Sequence, residues 1–155
     1  KQKMAAHFAS AEAAFNVAIA LRPTDSSAHY QLALTYERQG RLSDAITKLE
    51  RVRTYNPADV GVAFQLGMLY LRRDANGDLA LAQREFERAV ELAPSYSNAR
   101  WFLATIYEKQ GNVSAAIEQV SKALEYNPGN EIVIQRLERL KRGEATTEEL
   151  TAPIP

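Results

Sequence analysis

Apolar residues recur at helical spacing along most of this chain, and the apolar faces come in pairs. A first face carries Leu32, Ala33 and Tyr36; a second carries Ala45 and Leu49; Pro57 closes the block. The pattern returns as Leu66, Gly67 and Tyr70 with Ala82 and Phe86 before Pro94. It returns again as Leu103, Ala104 and Tyr107 with Ala116 and Val120 before Pro128. Steps of three and four put each set on one side of a helix. The pattern predicts eight helices, at roughly 2–22, 26–39, 42–55, 60–73, 78–92, 97–110, 113–126 and 131–142, and no sheet.

The pairs are internal repeats. Residues 26–59 and 97–130 align without a gap and share fourteen residues. Residues 60–96 form a longer relative between them. The small residue beside each first-helix Leu lets the two helices of a unit approach closely. Gly40 and Gly111 end the first helices, where a left-handed residue costs glycine nothing sterically. Pro57, Pro94 and Pro128 follow the second helices, which proline cannot continue. Asp25, Asp59 and Asn130 stand where the next helix needs an N-cap; Tyr96 breaks that rule, so Ser95 or Ser97 is expected to cap there.

A period of about 34 residues built on two helices marks a solenoid. Spacing, small residues and punctuation together resemble the tetratricopeptide repeat family over residues 26–130. Upstream, Ala11, Phe15, Ala18 and Pro23 match the second helix of a preceding unit. Downstream, Glu131 to Arg142 reads as a closing helix with Ile134, Leu137 and Leu140 inward. His29, Ala63 and Arg100 depart from the family, which favours Trp in that slot. The resemblance implies an all-α, right-handed superhelical solenoid of antiparallel helix pairs. It would have three full repeats (26–59, 60–96, 97–130), a partial repeat at 1–25 and a capping helix at 131–142. Residues 1–142 are then one domain. Residues 143–155 read as a flexible tail, with a capping-box pattern from Thr146 to Glu149.

Charge narrows the partners. Lys+Arg and Asp+Glu both number 19, so a generic nucleic-acid binder, which needs a basic excess, is not expected. The absence of cysteine removes disulfides, zinc–thiolate sites and thiol catalysis. No apolar run approaches the ~18 residues of a spanning helix, so direct membrane insertion of this segment is not expected. The chain begins at Lys1 partway through a unit, which reads as a fragment of a longer protein or a processed chain.

Few residues suggest chemistry. Asp74, Asn76 and Asp78 with Glu85 sketch a calcium loop, but Leu79 holds the position where the turn needs glycine. The plainer reading is a loop insertion with Gly77 as C-cap and Asp78 as N-cap. Arg136, Arg139, Lys141 and Arg142 make the last helix basic, as a solvated end complementing the helix dipole. Asn112-Val113-Ser114 fits a glycosylation acceptor at a turn, and His7 and His29 are too distant in sequence to suggest a metal pair. No catalytic triad, carboxylate dyad or phosphate-binding glycine loop is visible, and no cofactor is expected.

A second stripe remains on the first helices once the Leu/Tyr faces are assigned to the core. It comprises Tyr30, Phe64 and Trp101, then Leu34, Met68 and Thr105 one turn on, with Leu71, Arg38, Arg72 and Lys109 further along. The resemblance implies that this stripe lines a concave groove that holds a peptide or helical segment of a partner protein. The rings would stay partly exposed without ligand, flanked by the cations. The family also grips C-terminal carboxylates with Lys and Asn at the inner first-helix slots, which here hold aromatic and apolar residues. Two other readings are a regulatory or positioning arm of a larger enzyme or membrane protein, and self-association. The latter would use the groove or an end surface; the first helix, whose outer face (Ala5, Phe8, Phe15) lacks a partner, is expected to pack against another molecule or against a missing upstream region.

Overall fold

The computed structural model describes residues 2–144. The elements are α1 (Gln2–Leu21), α2 (Ser26–Arg38), α3 (Leu42–Tyr55), α4 (Val60–Arg73), α5 (Asp78–Leu92), α6 (Ser97–Lys109), α7 (Val113–Tyr126) and α8 (Glu131–Lys141). All eight expected helices are present, with ends that agree to within one residue. Among the described residues there is no strand. The chain forms two compact units, Lys1–Ala82 and Gln83–Pro155, and the division falls inside α5. The expected tail and its capping box lie outside the described residues, apart from Gly143 and Glu144.

The helix ends follow local chemistry. Asp25 accepts from the Ala28 amide at 3.1 Å and Asp59 from the Val62 amide at 3.0 Å. Asn130 accepts from Ile132 and Val133 at 3.1 and 3.2 Å. Each such cap is worth about 1 kcal/mol. Gly40 and Gly111 take φ of 76° and 74° just beyond α2 and α6. Two expectations need correction. Tyr96 itself is the N-cap of α6 and makes no side-chain cap bond, while the Ser97 hydroxyl turns back to the Ser95 carbonyl at 3.4 Å. Asp74, with φ of 50°, ends α4 instead of Gly77, and Asp78 is the first helical residue of α5.

The repeat face forms the core. In the first unit Leu32, Leu49 and Leu66 are sealed from solvent, along with Ala33 and Ala45. In the second, Leu103, Ala104, Ala116 and Val120 are sealed, and Phe86 stacks on Phe102 with centroids 5.5 Å apart. Ala45 and Ala116 are 0% exposed because the facing helix offers only a small residue there. That close approach leaves no room for a longer side chain.

The Trp slot has a different solution here. His29 and Arg100 are buried, and each donates to the carbonyl of the proline six residues earlier: His29 Nε2 to Pro23 O at 2.9 Å, Arg100 Nε to Pro94 O at 2.8 Å. Both tie a helix to the turn that precedes it.

Ala33→Leu or Ala104→Leu should destabilise by about 1–3 kcal/mol through overpacking. Ala58→Leu, at an exposed turn position, should change the melting temperature little. Thermal melts of the three variants check the register.

Candidate functional site

In the first unit α2 and α4 lie side by side. Glu37 of α2 accepts from Gln65 Nε2 of α4 at 2.6 Å and is paired with Arg72. Tyr30 and Leu34 on α2, and Phe64, Met68 and Leu71 on α4, are all partly exposed. Five apolar side chains thus remain open to water on helices whose Leu/Tyr faces are sealed. A cleft of about 370 Å³ opens at one end, lined by Ser26, Ser27, Tyr30, Val52, Asp59 and Gly61. Gly61 leaves that end without a side chain. Burial, then the negative charges of Asp59 and Glu37, push the Tyr30 hydroxyl up from its usual pKa, so it stays protonated and able to donate. Arg38 is exposed and makes no ion pair among the described residues, whereas the half-exposed Arg72 is committed to Glu37.

In the second unit the same register is closed. Trp101 is 4% exposed, and Thr105 is buried beside it. The Arg136 guanidinium of α8 lies 4.1 Å over the indole ring. It donates to the Trp101 carbonyl at 3.2 Å, to Thr105 Oγ1 at 2.8 Å and to Glu108 Oε1 at 3.0 Å through Nε. Lys109 is exposed. Two expectations are therefore corrected. Trp101 is not partly exposed, because α8 covers it. Arg136 is not a solvated cation, because Trp101, Thr105 and Glu108 supply what water would have.

A set of polar ties went unread in the sequence. The three repeat tyrosines each donate to a glutamate of the preceding second helix. Tyr36 reaches Glu12 at 3.0 Å, Tyr70 reaches Glu50 at 2.7 Å and Tyr107 reaches Glu87 at 3.0 Å. The signal was present, since Glu50 and Glu87 both stand 20 residues before their tyrosines. Likewise Glu37 and Glu108 each stand 28 residues before the donor that reaches them, Gln65 or Arg136.

The loop sketched as a calcium site holds an ion pair. Asp78 is buried, and its two oxygens bond Arg73 at 2.6 and 2.8 Å, with the Ala75 amide at 2.9 Å. The Arg73 bonds hold the Asp78 carboxyl below its usual range. Among the described residues no group of three or more His, Asp or Glu is placed to hold a metal, and no helix is long and apolar enough to cross a membrane.

Known proteins share the repeat and the fold. The family described as tetratricopeptide repeat matches at residues 14–47 and again at 75–140. The chain belongs to the tetratricopeptide repeat family. A tetratricopeptide repeat and J domain-containing co-chaperone of Cryptococcus neoformans is 28% identical over 90% of this chain. The chain spans only 27% of the length of that relative. A crystal structure of MamA superposes with TM-score 0.77 at 23% identity, covering 92% of this chain and 82% of that one. The first TPR of Spaghetti (RPAP3), bound to the HSP90 peptide SRMEEVD, superposes with TM-score 0.66 at 19% identity. It covers 76% of this chain and 91% of that one. The repeats here therefore adopt the all-α tetratricopeptide fold.

Two outcomes test the site geometry. Trp101→Ala should cost about 3–5 kcal/mol of stability, as for a buried ring, measured by chemical denaturation. Tyr107 gives a pH signature. Burial, then its bond to Glu87, pushes its pKa from 10.0 up to about 12. The folded state therefore holds its proton more tightly than the unfolded chain, and the stability so gained is intact below pH 10 and lost as pH rises to about 12. Tyr107→Phe should flatten the fall in stability across that window.

Proposed function

We propose that this chain is a non-enzymatic protein-interaction scaffold that holds a peptide or helical segment of a partner on the first-helix face of α2 and α4. The observation that carries this reading is the row of partly exposed apolar side chains at Tyr30, Leu34, Phe64, Met68 and Leu71. Such a row stays wet in the free chain and gains by covering, at about 25 cal/mol per Å² of apolar surface removed from water. Tyr30 and Phe64 are rigid rings that bury large area at low entropy cost. Arg38, exposed and without an ion pair among the described residues, suits an acidic residue of the bound segment and would speed association more than it tightens binding. Tyr30, Leu34, Phe64 and Met68 are poor partners for a terminal carboxylate, so the segment's side chains, and not its end, carry recognition. The peptide-bound Spaghetti domain supports the general use of this fold.

A second reading is favoured by the length of the relative. The chain covers 27% of a co-chaperone that also carries a J domain. In that reading the module is the positioning arm of a larger protein, bringing bound segments to chemistry located elsewhere. The zero net charge disfavours a generic nucleic-acid binder in either reading.

The test begins with peptides selected from a displayed random library against the intact chain. Titration calorimetry of a selected peptide should show Phe64→Ala weakening binding ~30-fold, about 2 kcal/mol. The variant should remain folded in a thermal melt. Equal affinity for wild type and Phe64→Ala, or protection from hydrogen exchange away from α2 and α4, would overturn the assignment.

A further inference from the structure

The turns that lead into α2, α4 and α8 are built alike, and the one before α4 differs in its charge. Asp25, Asp59 and Asn130 cap the three helices. Three residues before each cap stand Arg22, Asn56 and Asn127. Arg22 pairs with the Asp25 carboxylate at 3.3 Å, and Asn130 carries no charge. Asp59 is negative, like Asp25, but its neighbour is Asn56, whose amide nitrogen stands 3.4 Å away. Its other oxygen accepts from the Val62 amide at 3.0 Å. Asp59 makes no ion pair among the described residues. A carboxylate accepts up to about four hydrogen bonds, so Asp59 has lone pairs left over.

Asp59 also lines the cleft of about 370 Å³ at the start of the α2 and α4 face. The other lining groups suit a cation on an apolar stem. Tyr30 brings an aromatic ring, Val52 an apolar wall, and Ser26 and Ser27 hydroxyl oxygens that can accept. No Lys or Arg is among the described residues that line it. The charge of Asp59 is felt there, since it adds to burial in raising the Tyr30 pKa. The volume is near the lower end of the roughly 300–1,000 Å³ of small-ligand sites, which suits one long side chain.

Gly61 supplies the room. It stands where α2 has Ser27, α6 has Asn98 and α8 has Ile132. Its φ is not left-handed, so the backbone does not call for glycine, and glycine is a poor helix former. A methyl group there would stand 3.2 Å from Asp59 Oδ1. The bare backbone keeps the carboxylate reachable from the cleft.

The sign of the ligand follows from a balance. The first turns of α2 and α4 border the cleft, and a helix start favours anions through about half a positive charge. Asp25 and Asp59 each set a full negative charge against that, and Arg22 offsets only Asp25. An acidic ligand would face Asp59 at close range with no cation lining the cleft.

We infer that this cleft is a specificity pocket for a basic side chain, arginine or lysine, of the bound segment. Asp59 receives the cationic head, and Tyr30 and Val52 cover the alkyl stem. The inference rests on the reading of α2 and α4 as a peptide face, and adds a charge requirement on the partner.

The test uses the library peptides selected against the intact chain. They should share a basic residue at one position. Exchanging it for glutamine should weaken binding at least ~tenfold in calorimetry. Asp59→Asn keeps a capping side chain, so the variant should melt near the wild-type temperature. It should weaken the parent peptide by a similar factor and the glutamine peptide by less than ~twofold. Ser27→Lys, at an exposed position, sets a cation at the cleft and should also weaken the parent peptide more than the glutamine one. Where Phe64→Ala weakens binding, three results overturn the pocket alone. These are peptides with no shared basic position, an acidic residue preferred there, or Asp59→Asn acting equally on both peptides. Where Phe64→Ala has no effect, the peptide face falls and the pocket with it.

Discussion

The close contact between a first and a second helix is the constraint from which the rest follows. Ala33 and Ala104 are 1% and 0% exposed, and Ala45 and Ala116 are 0%. Small residues on both sides let the backbones approach until a methyl group fills the gap, and interiors packed at crystal-like density do not tolerate more. This commits one face of every first helix to Leu, a small residue and Tyr. The next side chain after the Trp slot is rotated by 100° from that slot and must point elsewhere. An aromatic residue there, Tyr30, Phe64 or Trp101, is left to be covered by something outside its own helix pair.

The two units cover that residue differently, and the chemistry of the following helix explains why. In the first unit α4 offers Gln65, which donates to Glu37 at 2.6 Å, and Tyr30 stays partly exposed. In the second, α8 offers Arg136 at the equivalent place. Its planar guanidinium reaches Glu108, Thr105 and the Trp101 carbonyl while lying 4.1 Å over the indole. A cation over Trp contributes about 0.5–2 kcal/mol, and the hydrogen bonds offset the desolvation of a side chain only 2% exposed. One register position thus yields an open apolar face with Gln and a closed one with Arg.

The fold was legible because it rests on features that a single sequence displays. Gly40, Gly111, Asp25, Asp59 and the prolines each act locally, and the Leu/small/Tyr spacing repeats. Burial of Trp101 was not legible, since it depends on a helix 35 residues away reaching back through one side chain. Arg136 read as a surface cation because α8 ends in several basic residues, and composition says nothing about which of them faces inward. The Tyr–Glu ties were missed for a related reason. Each joins two turns of chain separated by about 20 residues, and the apolar pattern gives such polar pairs no weight.

Those polar ties set register more than they add stability. A tyrosine hydroxyl bonded to a partly buried carboxylate exchanges one set of hydrogen bonds for another, for a net gain of about 1–2 kcal/mol. A slip of one helical turn between neighbours would keep much of the apolar contact, because small and large residues alternate at similar spacing. It would leave Tyr70 and Glu50, or Tyr107 and Glu87, without each other. His29 and Arg100 add the same discrimination at the helix starts, where a slipped helix would lose the proline carbonyl at 2.9 or 2.8 Å. At these two positions the slot ties a helix to the turn before it through a directed nitrogen donor.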